Sequence, residues 1–458
     1  MLEETTLSDI IQGPIIWPHH PEYDRARAVW NRHPDHRPAV IVRAQGTADV
    51  IQAVHFAQHH ELPISVKSGG HHVSGVGAGP GALMIDLSAM RGIVVHPGTQ
   101  TAVIQGGALA KDVIRETQVF GLALPTGNIG RVGVAALALG GGMGFLRRRY
   151  GLTCDHLLGA DLVLPDGRYV HVDEKNNPDL FWAIRGGGGN FGIAVTLYVR
   201  LVPIGPQVAG VHTIYRLADA ERVLKGCRTL LEACGDELTL NIDMMCFPPL
   251  EHLPPFLAGQ TVVMVSGLHS GTDQGAALTQ LQTLRTFAEP VMDLTGIVEY
   301  TWLHSILDHM LPPAHFGYME SLYVKDFSDA LIDDAITMMT QARPGQMVML
   351  WPLGGAMARH RPEDTAFGDR KAGVLVLWES GWETPDQAEA GIQWVRTHRQ
   401  ALKREAYNGG TYLNVTDLSH AATIIPQTYG ANYDRLKAIK RKYDPMNRLR
   451  FNANIKPW

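Results

Sequence analysis

"VKSGGHHVSG", Val66 to Gly75, is the stretch that decides how this chain is read. Two glycines halt a short apolar run, and two histidines follow at once. Adjacent side chains on an extended backbone point to opposite sides, so His71 and His72 are poorly placed to grip one ion, and no metal site is expected. Gly69 and Gly70 leave the backbone amides of the turn bare, which suits a bound pyrophosphate. His71 then follows where a side chain can reach along the bound molecule. From these residues alone it could equally fill the turn and hydrogen-bond across it.

The rest of the glycine narrows the choice. The chain holds 48 glycines in 458 residues, more than average usage, and they fall in blocks. "SGGHHVSGVGAGPG", "GNIGRVG", "GGGMG" and "RGGGGNFG" all lie in the first half. Collagen would space glycine by three and a linker would mix it with serine. Blocks between apolar strands instead imply backbone held close against something. No block ends in Gly-Lys-Ser/Thr, and "AALALGGGMGFL" does not follow a clean first strand, so neither a Walker loop nor a Rossmann fingerprint is present. Several separate blocks fit a long ligand such as FAD better than a mononucleotide.

Composition sets the outer bounds. A net charge of -5, with 45% hydrophobic and 19% charged residues, describes an ordinary globular protein with no basic footprint for nucleic acid. Arg147, Arg148 and Arg149 form the most basic short run and read as a solvated face. Cys154, Cys227, Cys234 and Cys246 show no C-x-x-C spacing, which suits burial or a reducing compartment. The opening "MLEETTLSDI" is too acidic for a secretory signal, and no apolar run is long enough to span a bilayer. A cytoplasmic protein without a membrane partner is expected.

Along the chain, residues 38–66 read as strand, helix and strand, a βαβ unit with Thr47 as cap. "ADLVLPDGRYVHV" reads as a hairpin turning at Asp166-Gly167. "NPDLFWAIRG" reads as a helix capped by Asn177 with Pro178 in its first turn. The glycine blocks end near Pro203 to Pro206. From there to about residue 400, amphipathic helices such as "ADAERVLKGCRTLLEAC", "DQGAALTQLQTLRTFA" and "SDALIDDAITMMTQA" alternate with strands such as "LTLNIDMMCF" and "KAGVLVLWES". The fold class is α+β, with helices on one face of an antiparallel sheet.

These residues resemble a known family. "VKSGGHHVSG" is similar to the covalent-flavin motif of the vanillyl-alcohol-oxidase superfamily, with its PCMH-type FAD-binding domain, in the berberine-bridge-enzyme-like branch. The stretches "RPAVIVRAQGTADVIQAVHFA", "TGNIGRVGVAALALGGGMGFLRRRYGLTCDHLLGADLVLPDG", "NPDLFWAIRGGGGNFGI" and "KYDPMNRLRFNANI" extend the likeness over nearly the whole chain, nearest the bacterial 6-hydroxy-nicotine-oxidase-like members. The resemblance implies a two-part FAD-binding domain, residues 1–204 with a returning segment 405–458, around a substrate domain, 205–404. It implies FAD bound covalently through His71. Where some members carry a second covalent cysteine, Ile129 stands here, so one bond is expected.

By the same resemblance Ser68, Gly69 and Gly70 hold the pyrophosphate, with His72 and Gly75 completing the loop. Ile129, Val132, Gly133, Gly140, Gly141 and Gly142 line the flavin. Gly192 and Ile193 touch the adenosine side, and Asn452 and Asn454 close over the ring from the tail. Glu379 matches a catalytic-base position. Tyr412 and Asn414 match a Tyr-x-Asn motif near the flavin, and Tyr323 matches a site-facing sheet position. Val132, a small side chain beside the reactive face, favours O2 as acceptor and hydrogen peroxide as product. The expected partners are a small organic substrate and O2, with the chain a monomer or homodimer. A flavin dehydrogenase or oxidative cyclase, a flavin-binding protein without turnover, and a nicotinamide-dependent reductase are the competing readings.

Overall fold

The computed structural model describes residues 7–248, 257–310 and 315–458. Its first sheet runs in the order Ile15–Ile16, Val40–Arg43, Leu83–Asp86, Ile64–Lys67, and its last three strands are parallel. Helix Thr47–His59 crosses from Val40–Arg43 to Ile64–Lys67 and buries Val50, Ala53, Val54 and Ala57. The βαβ unit therefore exists, but strand Leu83–Asp86 is inserted between its two strands. Pairing depends on where the chain goes after Lys67, and it loops through the glycines and returns to the middle of the sheet. The helix cap also differs. Gly46 holds the cap position and Thr47 is the first helical residue.

A second, antiparallel sheet orders Ile93–His96, Thr101–Gln105, Ile193–Arg200, Leu157–Val163 and Tyr169–Val172. Its last two strands are the hairpin expected around Asp166-Gly167, with Gly167 N–H donating to the Leu164 carbonyl. Asn177 stands at the N-cap of helix Pro178–Ile184, as read, although its side chain makes no cap bond. Helices Ala421–Tyr429 and Tyr433–Tyr443 pack back onto this sheet. Ile424, Ile425, Leu436 and Ile439 share one core with Leu162, Leu197 and Val199.

The third sheet is antiparallel and larger. It runs Met292–Asp293, Gln207–Arg216, Thr261–His269, Leu238–Cys246, Gln346–Pro352, Val374–Gly381, Gly317–Val324, with Gly296–Glu299 also pairing onto Gln207–Arg216. Side chains alternate between faces along each strand. Leu238, Leu240, Ile242 and Met244, with Val348, Leu350, Val374, Val376 and Trp378, bury against helices Ala220–Cys234, Asp329–Thr340 and Ala388–Ala401. Every intervening residue must then face the other way. That second face carries Met319, Tyr323, Met349, Leu375 and Leu377, and it packs against Val73, Met143, Leu152 and Tyr412 of the glycine-rich part. Among the described residues no helix is long and apolar enough to cross a membrane. All four cysteines are buried free thiols.

The arginine run departs most from expectation. Arg147 is fully buried. Its guanidinium donates to the carbonyls of Gly144, Leu240 and Pro352 and to Asn241 Oδ1, over 2.9–3.3 Å. One side chain thus ties the glycine-rich part to two strands of the large sheet. Arg148 and Arg149 are half-buried.

Candidate functional site

Between the glycine loops and the open face of the large sheet lies a cavity of about 390 Å³. The 66–75 stretch forms one wall, and its two histidines have different fates. His72 is fully engaged: its Nδ1 accepts from Ser74 N–H at 3.1 Å, which leaves Nε2–H to donate to the Leu413 carbonyl at 3.0 Å. That fixes the neutral tautomer and ties the loop to the C-terminal segment; burial also holds its pKa below the ordinary value. His71 lines the cavity and, among the described residues, its ring has no hydrogen-bond partner. Its pKa is lowered to about 4, first by burial and then by the nearby Arg131 and His315. A histidine filling the turn would hydrogen-bond across it, so the turn-filling alternative fits His72 and not His71.

His71 is held by stacking instead. Its ring lies 5.0 Å from that of Trp30 at 14°, and Trp30 also stacks on His315 at 4.5 Å and 10°. His315 Nε2 in turn sits 2.9 Å from Glu379 Oε1. Asn31, the next residue along, is buried and joins the same parts by backbone contacts. Its Nδ2 donates to the Val73 and Gly317 carbonyls, and its Oδ1 accepts from Gly317 N–H. Trp30, Asn31 and His315 carry no motif, and sequence reasoning missed them.

The glycines earn their places by close approach. A Cβ on Gly69 would lie 2.4 Å from Gly133 N, and one on Gly133 would lie 2.2 Å from Ser68 Oγ and 2.5 Å from Gly69 N. Two loops far apart in sequence thus interlock backbone to backbone, and Ser68 Oγ–H secures its loop by donating to the Gly106 carbonyl at 2.8 Å. Gly133→Ala is expected to force these loops apart, costing about 1–3 kcal/mol and most of the bound flavin. Flavin absorbance per chain in the purified variant measures it; wild-type loading would refute the interlock.

Tyr412 and Asn414 come together in one hydrogen-bonded group. The Tyr412 hydroxyl oxygen accepts from Gly142 N–H (3.1 Å), Met143 N–H (3.2 Å) and Asn414 Nδ2–H (2.9 Å). A Cβ on Gly140 would lie 2.0 Å from Asn414 Oδ1, so the glycine run makes room for this pair. Burial pushes the Tyr412 pKa up to about 12 despite those three donors, so it stays a phenol at neutral pH.

Of the other expected residues, Ser68, Gly69, Gly70, Ile129, Val132, Gly133, Gly140, Gly192, Ile193, Asn414, Asn452 and Glu379 all line the cavity. Gly75, Gly141, Gly142, Asn454 and Tyr323 do not. Gly75 closes the turn below, its N–H donating to the His72 carbonyl. Gly141 and Gly142, both at positive φ, turn the chain beneath Tyr412. Tyr323 is buried in the same apolar cluster as Tyr412, with its hydroxyl unpaired. Among the described residues no group of three His, Cys, Asp or Glu side chains could hold a metal.

The walls fit a flavin nucleotide by a test independent of any likeness. Among the described residues the backbone amides of Gly69, Gly70 and His71 find no acceptor within the protein. Asn128 Oδ1 and Asn452 Oδ1 are buried in the cavity wall without a hydrogen-bond partner. Buried polar groups in this state require a ligand to satisfy them. Donors stand on the histidine loop and acceptors on the 127–133 loop and the tail, a mixed set that a molecule with a phosphate end and a ring carrying N–H would need.

Comparison with known proteins agrees. The FAD binding domain family matches residues 38–173, and the family "Berberine and berberine like" matches residues 411–456. The chain is 30% identical to the FAD-linked oxidoreductase YgaK of Bacillus subtilis, over all of this chain and 98% of that one. It is also 30% identical to (R)-6-hydroxynicotine oxidase of Paenarthrobacter nicotinovorans, over 98% and 97% of the two chains. The crystal structure of 6-hydroxy-D-nicotine oxidase from Arthrobacter nicotinovorans superposes with a TM-score of 0.87 at 27% identity, covering 98% of each chain. Cradle, sheet and sequence agree, and the chain belongs to the berberine-like family of FAD-linked oxidoreductases.

Proposed function

We propose that the protein is an oxidase carrying FAD covalently through His71, which takes a hydride from a small organic substrate and passes the electrons to O2, giving hydrogen peroxide. The observation that carries this reading is His71 itself. It is a neutral imidazole open to the cavity with both nitrogens unbonded, beside a histidine of the same loop that is fully tied down. A free lone pair in a fixed ring is what attachment of a cofactor needs, and Trp30 fixes the ring. The bound flavin supplies the hydride acceptor; the protein positions the donor carbon and removes a proton.

Within this reading Glu379 is the proton acceptor. It faces the cavity from strand Val374–Gly381 with one oxygen held by His315, which leaves the other to meet a substrate O–H or N–H. Tyr412, held as a phenol, orients the substrate and braces Gly142 and Met143. Val132, small and set in the wall, leaves space for O2. The names of similar proteins, oxidases of 6-hydroxynicotine, chitooligosaccharide and glucooligosaccharide, support a small organic donor with an oxidisable C–H beside a heteroatom.

The test is oxygen uptake and peroxide release by the purified yellow protein over a panel of alcohols, sugars and amines. Peroxide stoichiometric with oxygen is expected for at least one class. Dye reduction without oxygen uptake would make it a dehydrogenase, and no bleaching by any donor would make it a binding protein. Glu379→Gln is expected to lower kcat by roughly 10²–10⁴-fold at wild-type flavin content. An unchanged kcat would remove Glu379 from the proton transfer.

A further inference from the structure

One carboxyl in the cavity is not used by this mechanism. Asp243 stands on strand Leu238–Cys246, where alternation turns it, with Asn241 and Met245, away from the helices and into the cavity. It lies directly across from Met349 on the neighbouring strand. Only 7% of it is exposed, and its Oδ1 is buried with no hydrogen-bond partner. Glu379 has His315, but among the described residues Asp243 has no ion-pair partner. The nearest cation, Arg147, spends its donors on Asn241 and three carbonyls.

The surroundings are one-sided. No lysine or arginine lines the cavity among the described residues, whereas two carboxyls do. Around Asp243 the wall is made of soft apolar side chains, Met245, Met264, Met347 and Met349, with Trp351 beside them. Thioethers and an indole adapt to a flat apolar body and tolerate a neighbouring cation. They offer little to a polyhydroxylated chain, which needs many donors and acceptors. The Trp351 indole N–H is a neutral neighbour and leaves Asp243 without a countercharge. A buried carboxyl in that state is costly, and the cost is relieved when a bound cation supplies one. Burial raises its pKa to about 7 against the opposing pull of Trp351 and Arg147, so it is poised to ionise when a cation arrives.

We propose that Asp243 selects the substrate, its carboxylate receiving the protonated nitrogen of a small amine whose apolar or aromatic body lies against the methionines. This rests on reading the cavity as the substrate chamber of the flavin enzyme. Asp243 fixes which molecule is held, while Glu379 remains the proton acceptor. At this end of the cavity a carboxylic acid is disfavoured by the like charge of Asp243 and Glu379.

The experiment titrates the anaerobic holoenzyme with benzylamine, benzyl alcohol and benzoate, following the flavin difference spectrum. Benzylamine is expected to bind at least about tenfold more tightly than benzyl alcohol, and benzoate more weakly than either. In Asp243→Asn the amine should lose about tenfold or more and the alcohol less than twofold, at unchanged flavin content. Asp243→Glu should keep the preference for the amine. Equal binding of amine and alcohol by the wild type, or an amine preference that survives Asp243→Asn, overturns the proposal. If purified protein carries no flavin, it is the oxidase reading that fails. The same titrations, followed by tryptophan emission, then still decide the role of Asp243.

Discussion

His71→Ala is expected to yield protein whose acid-precipitated, washed pellet is colourless, where the wild-type pellet is yellow. The loop amides, Gly133 and Asn452 remain in the variant, so the native protein should still take up FAD without a covalent bond. The loss is therefore total in the denatured sample and partial in the native one. A variant that merely disturbed the fold would lose both. The reactive form is the neutral ring, and burial together with Arg131 and His315 holds its pKa near 4. Because the cation is disfavoured in the folded protein, the neutral form persists as pH falls, until the pH approaches that value. Attachment to added FAD in flavin-free protein should hence be nearly constant from pH 8 to pH 5. An ordinary imidazole would be only about 3% neutral at pH 5. A roughly thirtyfold fall in attachment rate over that range would show that His71 is not held as described, and a yellow pellet from the alanine variant would place the bond elsewhere.

The second large effect lies outside the cavity. Arg147→Ala is expected to destabilise the protein by about 3–5 kcal/mol, because it leaves a void and unpaired carbonyls at Leu240 and Pro352. Burial, with the like charge of Arg148, lowers the Arg147 pKa to about 9, opposed by Asp243, so it remains charged at neutral pH. Arg147→Lys keeps the charge but replaces a planar fork by a point donor, and should recover less than half of the loss. The urea midpoint of each variant measures this. A midpoint within error of wild type for Arg147→Ala would mean that the guanidinium network contributes nothing net.

Arg147 also shows where sequence reasoning stops. Three arginines in a row carry the signature of a solvated face, and nothing local distinguishes the first from the other two. Its burial comes from strands that begin 91 residues later, at Leu238. His71 was legible because its signal is local: glycines that bare amides, then a side chain with somewhere to point. Tyr412 and Asn414 were legible only through family likeness, since their partners are two backbone amides and a carbonyl 269–277 residues away. Asp243 could have been found from the sequence. "LTLNIDMMC" alternates apolar residues with Thr, Asn and Asp, and a charged residue on the face that helices do not cover is a reason to look. Trp30 and His315 had no such signal, because stacking of rings 285 positions apart leaves no trace in either neighbourhood. Sheet order was hidden for a related reason. The βαβ pattern was correct, but only the return path of the glycine loop seats strand Leu83–Asp86 between its partners.

The segment from Trp30 to Arg32 is fastened on both sides. Trp30 N–H donates to the Gly70 carbonyl, the strand-like contact of Asn31 with His315 is bracketed by two backbone bonds, and Asn31 bridges Val73 and Gly317. Swinging the large sheet away from the histidine loop would break all of these bonds together. The cavity wall is thus a bolted joint and not a jaw. The cavity then keeps one fixed wall on this side. Met245, Met347 and Glu379 border both the cavity and the wide groove, about 1370 Å³, beside helices Asp329–Thr340 and Ala388–Ala401. Glu379 thus stands in the wall shared by the two spaces, with one oxygen held by His315. The width of the cavity on that side is set by side-chain packing and not by the position of a hinge.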